Sequence, residues 1–366
     1  MRLNELSLTN FKNIPSAQLQ LSGKVNCFLG NNGMGKSNLL DAIYFLSFCK
    51  SFTGVQDRMM VTQGEDFAII RGRYERKGVD EELLMGLAPG KRKSLKRGGK
   101  EYGRLSNHIG SFPLVMVAPQ DIDLIRDSGE ERRRWMDMVI SQSDATYLDS
   151  LIRYNKGLEQ RNRLLRDGVV DPTLYLAVET MMDMSAEYIH SRRAQWVSEL
   201  TELFQRHYAA IAGDGETVAL RYESHLNRPG ATMATLFDEA RRHDEILKHT
   251  SVGIHRDDIE MELSGMPMRR TASQGQCKTF TIALRFAQYD FLSQATGMRP
   301  LLLLDDIFDK LDATRVERIM GIVTSAEFGQ IFITDTNRKH LDEIMARTGS
   351  DFKLWNVDSG TFSLQQ

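Results

Sequence analysis

The sequence predicts an α/β fold with α+β features, in which a mixed sheet and an antiparallel meander are interrupted by an inserted helical lobe. Three observations lead to this prediction. A strand, a glycine-rich loop and a helix follow one another near the N-terminus, short buried strands return after about residue 268, and helical periods fill the middle. We therefore expect one head assembled from residues 1–120 and 268–366, and an inserted lobe of residues 121–267 that contains a long helical hairpin.

Two strands and a glycine-rich loop are expected at the N-terminus. Apolar residues alternate with polar ones around Leu6 and Leu8 and again around Leu19 and Leu21, which is the period of half-buried strands. A short apolar run, VNCFL, then leads into GNNGMGKS and the helical stretch NLLDAIYFLSF. A strand, a loop and a helix in this order form the framework of a phosphate-binding site.

The middle of the chain changes from strand periods to helix periods. Residues 67–117 contain FAIIRGRYER, EELLMGL, the basic turn KRKSLKRGGK and a final apolar run, which together predict an antiparallel meander. A helix over about residues 130–166 and a longer amphipathic helix through Met182 and Ile189 follow it. Two long helices joined by a short turn near Gly168 predict an antiparallel hairpin.

The loop GNNGMGKS matches the pattern G-x-x-x-x-G-K-[ST] at every fixed position. Its glycines let backbone N–H groups face an anion, and the helix that starts at its end adds a favourable dipole. Lys36 would reach the β- and γ-phosphates of a nucleotide, and the Ser37 hydroxyl would bind Mg²⁺. The alternative is a glycine-rich turn before an ordinary helix. The candidate phosphate-binding residues are Gly30, Asn31, Asn32, Gly33, Met34, Gly35, Lys36 and Ser37.

Two acidic residues follow a buried strand near the C-terminal end. The run LLLLDD places Asp305 and Asp306 at the carboxyl end of that strand, where a carboxylate can reach Mg²⁺ beside a phosphate loop. We expect Asp305 to hold the metal through water and Asp306 to polarise the attacking water, so Lys36, Asp305 and Asp306 are the candidate catalytic residues. The alternative is a buried strand that simply enters a loop. QIFITDT predicts a second buried strand.

A third motif, SQGQ, precedes the helical stretch CKTFTIALRFAQYDFL. Ser273 and Gly275 at a helix start can cap the helix or expose N–H donors to an anion. On the four residues alone a plain helix cap is the simpler interpretation, and both interpretations stay open.

Composition limits the classes of protein that the chain can represent. The formal net charge of the 366 residues is −2, so a nucleic-acid surface would have to be local. The apolar runs are shorter than a membrane span and the N-terminus lacks a signal-peptide block, so we expect a cytoplasmic protein with no membrane partner. Cys27, Cys49 and Cys277 are scattered, which favours buried thiols over a disulfide or a metal site.

Taken in order, these motifs resemble those of ABC-type ATPases, in which the signature motif is usually written LSGGQ. Nearly the whole chain resembles the RecF family of SMC-like DNA repair proteins. The segments that carry the resemblance are LTNFKNI, GNNGMGKSNLLDAI, KSF, APQDIDLI, ERRRWMD, GIHRDD, SQGQ and LLLLDDIFDKLD. The resemblance implies an ABC-type P-loop ATPase head that binds ATP and Mg²⁺, with each site completed by a second copy of the chain.

The resemblance also assigns roles residue by residue. Lys12 and Asn13 would lie near the adenine or ribose, and Gln120 would contact Mg²⁺ and the γ-phosphate. Ser273 would contact the γ-phosphate held by the partner's P-loop, and Asp312 would cross the dimer interface. The implied nucleotide-contacting residues outside the P-loop are Lys12, Asn13, Gln120, Ser273, Gly275 and Asp312, and the implied metal ligands are Ser37, Asp305 and Gln120.

The chain departs from these patterns at three places. Asp306 stands where ABC transporters usually carry a glutamate, and the shorter side chain implies slow hydrolysis of ATP. Gly33 and Met34 replace an Ala-Gln pair that is common in the family, which backbone N–H chemistry should tolerate. QIFITDT has no histidine where many ABC proteins have one. The residues left for that role are Thr334, Asp335 and Thr336.

Basic clusters are the candidates for contacts with DNA phosphates, which carry no sequence information. Solvated charge on exposed faces is the alternative for each cluster, and the one in ERRR could equally be structural or interdomain. The motif HRDD at residues 255–258 has no role that the sequence assigns. The clusters are Lys91, Arg92, Lys93, Lys96 and Arg97; Arg132, Arg133 and Arg134; and Arg161, Arg163, Arg166, Arg192 and Arg193.

The function implied by the resemblance is a DNA-binding, ATP-dependent dimerising switch in DNA replication and recombinational repair. It would bind single-stranded DNA and gapped or junction duplex, hydrolyse ATP weakly at most under stimulation by DNA, associate with the nucleoid, and help recombination mediator proteins to load a recombinase. The alternatives are another SMC-like ATPase of chromosome or DNA-end maintenance, a transporter ATPase subunit, and a binding protein with an inactive P-loop. The short helical segment disfavours the first, LTNFKNI and the basic turn disfavour the second, and the intact motifs disfavour the third.

Overall fold

The computed structural model describes residues 1–213, 215–309, 311–339, 341–342, 346 and 351–365. The chain forms two compact units. Unit 1 comprises Met1–Asp121, Ala210–Ala212 and Lys278–Gln366, and unit 2 comprises Ile122–Ala209 and Gly213–Cys277. The division expected at residues 120 and 268 stays a prediction. Lys310, which belongs to the KLD segment, lies outside the described residues.

Unit 1 begins with an antiparallel sheet. Its strands, in spatial order, are β2 (Ile14–Gln20), β1 (Arg2–Phe11), β4 (Ala68–Arg76), β5 (Val79–Leu87), β6 (Ser94–Arg97) and β7 (Lys100–Glu101). All neighbours pair antiparallel, so the expected meander is confirmed from β4 to β7. Burial alternates along β4, with Ala68 and Ile70 in the core and Arg71 exposed, because one face of the sheet covers the core.

The second sheet of unit 1 is mostly parallel. Its order is β15 (Thr361–Gln365), β14 (Phe352–Asp358), β3 (Val25–Leu29), β13 (Ile331–Asp335), β12 (Leu301–Asp305) and β8 (Leu114–Val117). The buried strands expected in LLLLDD and QIFITDT are confirmed as β12 and β13. The expected place of residues 113–117 in the meander is wrong. Strand β8 pairs in parallel with β12 instead, and its fully buried apolar sequence suits a covered parallel sheet.

Helix α1 (Lys36–Phe48) contacts strands of both sheets in unit 1. Its residues are buried almost all round, because apolar side chains from Leu39 to Phe48 meet protein on both sides. The loop before α1 is therefore fixed at one end by β3, in the middle of the parallel sheet, and at the other by a buried helix. Unit 1 also contains α9 (Ala313–Val323) and most of α8 (Gln274–Thr296).

Unit 2 is built on a long helical hairpin. Its helices are α2 (Asp123–Arg126), α3 (Gly129–Ser143), α4 (Ala145–Arg166), α5 (Pro172–Ala212, of which the last residues belong to unit 1), α6 (Met233–Leu247) and α7 (Met268–Thr271). The hairpin of α4 and α5 is confirmed. The single helix expected over about residues 130–166 is wrong, because the Asp144 carboxylate accepts the Tyr147 N–H and starts a new helix there.

Unit 2 also contains an antiparallel sheet that the sequence prediction did not include. Its order is β11 (Met266–Pro267), β10 (Asp258–Leu263) and β9 (Val218–Glu223). Across the described ranges, no helix has the length and apolarity needed to cross a membrane. Cys27, Cys49 and Cys277 are free and buried, as expected.

Candidate functional site

The glycine-rich loop at residues 30–37 is shaped by three glycines that act in two ways. Gly33 and Gly35 have φ angles of 80° and 111°, in the left-handed region that favours glycine. Gly30 is required for a different reason, since a Cβ there would lie 2.3 Å from the Val357 carbonyl oxygen. The backbone of the loop therefore depends on glycine at each of these positions.

Lys36 opens α1, and its ammonium group is held inside the loop. Its Nζ donates to the carbonyl oxygens of Gly30 at 2.6 Å and Asn31 at 2.9 Å. Burial lowers the pKa of Lys36, and the nearby carboxylates of Asp306 and Asp305 oppose that shift. The loop thus carries a cation whose hydrogen-bond partners are neutral carbonyls, and a phosphate anion would be a stronger partner for it.

Strands β12 and β13 bring Asp305 and Thr334 to the edge of the sheet where the loop begins. The Ser37 hydroxyl donates to Asp305 Oδ1 at 2.9 Å, and the Thr334 hydroxyl donates to the same oxygen at 2.6 Å. Asp305 is only 7% exposed, whereas Ser37 is exposed. A hydroxyl and a carboxylate are the hard oxygen ligands that Mg²⁺ prefers, so the pair of Ser37 and Asp305 fits this metal.

Asp306 follows β12 with a backbone conformation that is uncommon for a residue other than glycine. Its φ is 47°, and its N–H donates to the carbonyl and hydroxyl oxygens of Thr334 at 3.2 and 3.1 Å. Burial raises the pKa of Asp306, and the carboxylates of Asp335 and Asp305 raise it further. A carboxylate with a raised pKa is a better proton acceptor, and strained backbone is concentrated at functional sites.

Asn13 connects the turn between β1 and β2 to the loop. Its Nδ2 donates to the Gly33 carbonyl at 3.2 Å, and Asn38 Nδ2 donates to Asn13 Oδ1 at 2.8 Å. Asn13 therefore joins the loop to the first turn of α1. Asn38 was not anticipated from the sequence, although its place directly after Ser37 was a local sign that it faces the same site.

Lys12 is engaged with an acid on α1. Its Nζ lies 2.6 Å from Asp41 Oδ2, and the same carboxylate accepts the Ser51 hydroxyl and the Phe52 N–H, both at 2.7 Å. The motif KSF thus docks on Asp41, which the sequence candidates did not include. An acid on the buried side of an apolar helix was the available signal, because such a charge needs partners.

Gln120 and Asp312 are exposed residues of unit 1. Gln120 lies in the turn that follows β8, and β8 pairs in parallel with β12, so both strands end at the edge that carries Asp305. Asp312 precedes α9 and caps it, accepting the Arg315 N–H at 2.9 Å. Both side chains are exposed, and the Asp312 carboxylate is engaged with Arg315.

Ser273 and Gly275 lie in unit 2, at the start of α8. Ser273 Oγ accepts the Gln276 N–H at 3.2 Å, and Gln276 Oε1 accepts the Ser273 N–H at 2.8 Å, which forms a capping box. Within the chain, Ser273 therefore acts as a helix cap. The hydroxyl only accepts in this role, so its proton can still be donated to an anion.

Ser359 and Gly360 also touch the loop and were not anticipated from the sequence. They form the turn between β14 and β15, and the Gly360 N–H donates to the Met34 carbonyl at 2.8 Å. A tight turn between two alternating strands was readable locally. Its contact with the loop was not, because that contact depends on the pairing of β14 with β3.

Two arginines of the helical hairpin that the sequence offers as candidates for contacts with DNA phosphates are buried. Arg161 is fully buried and pairs with Glu179 at 2.8 Å and Asp244 at 2.7 Å. Arg193 is 1% exposed and pairs with Asp137 at 2.8 Å, among other carboxylate and carbonyl contacts. These guanidinium groups hold unit 2 together and cannot reach a phosphate in solution.

The motif HRDD is part of the same polar core of unit 2. His255 Nδ1 accepts the Tyr154 hydroxyl at 2.8 Å. Asp258 forms a two-bond pair with Arg132, and the Asp257 carbonyl accepts from Arg133 at 2.7 Å. The structural interpretation of the ERRR cluster therefore holds for Arg132 and Arg133.

The basic turn around β6 contains paired cations and exposed cations. Lys93 pairs with Asp57 at 2.8 Å, and Arg97 pairs with Glu81. The exposed members are Lys91, Arg92 and Lys96. On the helical hairpin, the exposed members are Arg163 and Arg166.

A phosphate loop after β3, an acidic strand end two strands away and an antiparallel sheet in contact with α1 define a P-loop ATPase head of the ABC and SMC type. The sequence profile described as AAA ATPase domain matches residues 1–83. The DNA replication and repair protein RecF of Bacteroides fragilis is 48% identical over 365 residues, which are 99% of this chain and 98% of that protein. The chain belongs to the RecF family.

Solved structures agree with this assignment. The recombination mediator protein RecF-ATP in the RecFOR pathway is 26% identical, with a TM-score of 0.89 over 100% of this chain and 98% of that one. The Smc head domain with an extended coiled coil, bound to the C-terminal domain of ScpA derived from Pyrococcus furiosus, is 17% identical, with a TM-score of 0.59 over 100% and 96%. The second likeness concerns the fold alone, and it confirms the predicted fold class.

Proposed function

We propose that the chain is an ATP-binding and DNA-binding switch of DNA replication and recombinational repair, which dimerises around ATP. The observation that carries the proposal is the loop at residues 30–37, with the Lys36 ammonium inside it and the Ser37 hydroxyl on Asp305. The names of the relatives support the role in replication and repair, and one solved relative is described with ATP. Such a switch would work on the nucleoid, in the cytoplasm.

The loop residues would bind the phosphates of ATP. Lys36 would exchange its two carbonyl partners for phosphate oxygens, and the loop N–H groups would surround the β-phosphate. Ser37, Asp305 and Gln120 would hold Mg²⁺, which would supply positive charge against the negative charge that develops on the phosphates. Thr334 would keep the Asp305 carboxylate turned towards Ser37.

Asp306 would accept the proton of the attacking water. Its raised pKa suits a base, but its side chain is one methylene shorter than glutamate, so we expect weak ATP hydrolysis that DNA stimulates. The Thr334 hydroxyl is engaged with Asp305, and the buried Asp335 carboxylate accepts the Asn337 N–H at 2.8 Å. The exposed Thr336 is therefore the better candidate for the place of the missing histidine.

The second half of each site would come from another copy of the chain. The Ser273 hydroxyl, with Gly275 beside it, would donate to the γ-phosphate held by the partner, and Asp312 would face the same interface. Lys12 and Asn13 would act mainly by fixing α1 and the loop, since their polar groups contact Asp41, Gly33 and Asn38. Loss of the γ-phosphate would then release the dimer.

Contacts with DNA would come from exposed cations without an internal partner. Lys91 and Lys96 are exposed and form no ion pair among the residues that the structure describes. Phosphate contacts of this kind suit single-stranded DNA and gapped or junction duplex without sequence preference. Other recombination mediator proteins would be the partners that use the bound state to load a recombinase.

The proposal is tested by sedimentation of the full chain with and without ATP and DNA. We expect a monomer without nucleotide, a dimer with ATP, and tighter binding to DNA in the ATP state. Lys36→Met should remove ATP binding and the ATP-dependent dimer. A wild-type chain that stays monomeric with ATP, or that binds DNA equally well without it, would contradict the switch.

A further inference from the structure

The turn of Ser359 and Gly360, called here the C-terminal turn, packs against the phosphate loop. The Gly360 N–H donates to the Met34 carbonyl at 2.8 Å, and the Ser359 N–H lies 3.3 Å from the Met34 sulfur. A Cβ at Gly360 would lie 2.2 Å from the Asn13 carbonyl oxygen. Only glycine therefore fits at position 360. There the turn lies between the phosphate loop and Asn13, which contacts the loop through the Gly33 carbonyl.

The contact with Met34 sets the direction of the next N–H group in the loop. In a trans peptide the C=O and the following N–H point in opposite directions. Because Gly360 holds the Met34 carbonyl, the Gly35 N–H points away from the C-terminal turn. Asn13 holds the Gly33 carbonyl in the same manner. Two contacts from outside the loop thus fix two of its peptide planes. The plane held by Gly360 carries the Gly35 N–H, which would bind a phosphate, and the plane held by Asn13 carries the Met34 N–H, which donates to the Asn31 carbonyl at 3.4 Å and closes the turn of the loop.

We propose that the C-terminal turn is a positioning element of the nucleotide site, which keeps the phosphate loop in its binding conformation before ATP arrives. The inference rests on the proposed binding of ATP and deepens it. A loop that is competent for only a fraction of the time has its apparent Kd raised by the inverse of that fraction. Saturating ATP restores the competent state, so loosening the turn raises KM for ATP more than it lowers kcat.

The effect is expected for ADP as well as ATP. The backbone N–H groups of such a loop cradle the α- and β-phosphates, which both nucleotides carry. Loss of the turn should therefore weaken both nucleotides in parallel. A residue that touched the γ-phosphate would instead affect ATP alone.

The chain offers a closely matched control in the turn between β4 and β5. Lys77 and Gly78 have φ angles of 52° and 74°, against 50° and 78° for Ser359 and Gly360. A Cβ at Gly78 would have no atom within 4 Å. Alanine at either glycine therefore brings similar backbone strain, and only Gly360→Ala forces the turn away from the loop.

The experiment measures Kd for ATP and ADP by titration calorimetry on the full chain, and KM and kcat for ATP hydrolysis. Gly360→Ala should bind both nucleotides about tenfold more weakly, as for a loop that is competent about a tenth of the time. Gly78→Ala should bind them as the wild type does. Without nucleotide, amide hydrogen exchange at residues 30–37 should be faster in Gly360→Ala than in Gly78→Ala.

Equal nucleotide affinities in the two alanine variants would overturn the inference, as would a fall in kcat with unchanged KM. If Gly360→Ala does not fold, a glycine inserted between Ser359 and Gly360 displaces the turn without an unfavourable φ, and the same insertion between Lys77 and Gly78 is its control. The expectations are the same for that pair. If the wild-type chain binds no ATP, that result contradicts the proposed function itself, and it is distinguishable from equal affinities in the two variants.

Discussion

At the scale of single residues, burial separates arginines that hold the protein together from those that can meet a ligand. Arg161 and Arg163 lie two positions apart on α4, yet the first side chain is fully buried and the second is 79% exposed. The sequence shows both as members of one basic cluster. Only packing of α4 against its neighbours decides which one is buried, so this division could not be predicted from charge.

Replacing Arg161 should therefore destabilise the chain far more than replacing Arg163. Arg161→Met leaves the fully buried Asp244 without its cation and leaves Glu179 with Arg241 alone, and we expect it to lower the free energy of unfolding by about 3–5 kcal/mol. Arg163→Met should change it by less than about 0.5 kcal/mol, because the pair with Asp167 is exposed. Urea unfolding of both variants measures the difference, and similar midpoints would contradict this account of α4.

Two buried histidines make stability depend on pH. Burial lowers the pKa of His108 and of His255 to about 4, from the 6.5 expected in the unfolded chain. Between pH 6.5 and pH 4 the unfolded state binds protons that the folded state does not. The free energy of unfolding therefore falls as the pH falls from 6.5 to 4. Below pH 4 both states are protonated at these histidines, and the histidines lower it no further. Each histidine contributes about 3 kcal/mol to this loss.

The measurement is the free energy of unfolding at several pH values between 7 and 4. His255→Gln can keep both hydrogen bonds, to the Thr250 carbonyl and from the Tyr154 hydroxyl, but cannot titrate. We expect a shallower pH dependence in that variant. An unchanged slope would mean that His255 does not titrate in this range.

At the scale of elements, the strands, loops and helices that the sequence predicted correctly are those with a local sequence pattern. The strand, loop and helix around Lys36 follow from an apolar run, glycines and a helix start, and β12 follows from its four leucines. The place of β8 beside β12 and the contact of the C-terminal turn with Met34 depend on pairing between distant strands. The break at Asp144 had a local signal, a helix-capping aspartate. Because apolar residues follow a helical period on both sides of Asp144, the sequence predicted one continuous helix there.

The edge of the antiparallel sheet at β6 and β7 is the element that we expect to meet DNA. The double variant Lys91→Glu and Lys96→Glu should weaken DNA binding and reduce the slope of log affinity against log salt by about two. The matched comparison is Arg163→Glu with Arg166→Glu, on the helical hairpin. Fluorescence anisotropy across a salt series measures this slope for both double variants. A wild-type slope for the lysine variant together with a reduced slope for the arginine variant would show that the helical hairpin contacts DNA instead.

At the scale of the whole molecule, the two parts of the proposed nucleotide site belong to different units. Lys36 lies in unit 1, where the loop and Asp305 meet, and Ser273 lies in unit 2, at the start of α8. If each site is formed by the loop of one copy and Ser273 of another, a chain defective in either part has no intact site. Mixing two chains with different defects can then restore one.

We expect such complementation between Lys36→Met and Ser273→Arg. Alone, the first should not bind ATP, and the second should bind ATP as a monomer without forming dimers. A mixed dimer would contain one site with both defects and one intact site, built from the loop of the Ser273→Arg chain and Ser273 of the Lys36→Met chain. Because neither variant dimerises with itself, the mixed dimer is the only dimer in an equal mixture, and with one intact site of two it should recover up to about half of wild-type ATP hydrolysis. Activity of the mixture no higher than the mean of the separate variants would indicate that each chain completes its own site, because shared sites are the only arrangement in which mixing creates an intact one.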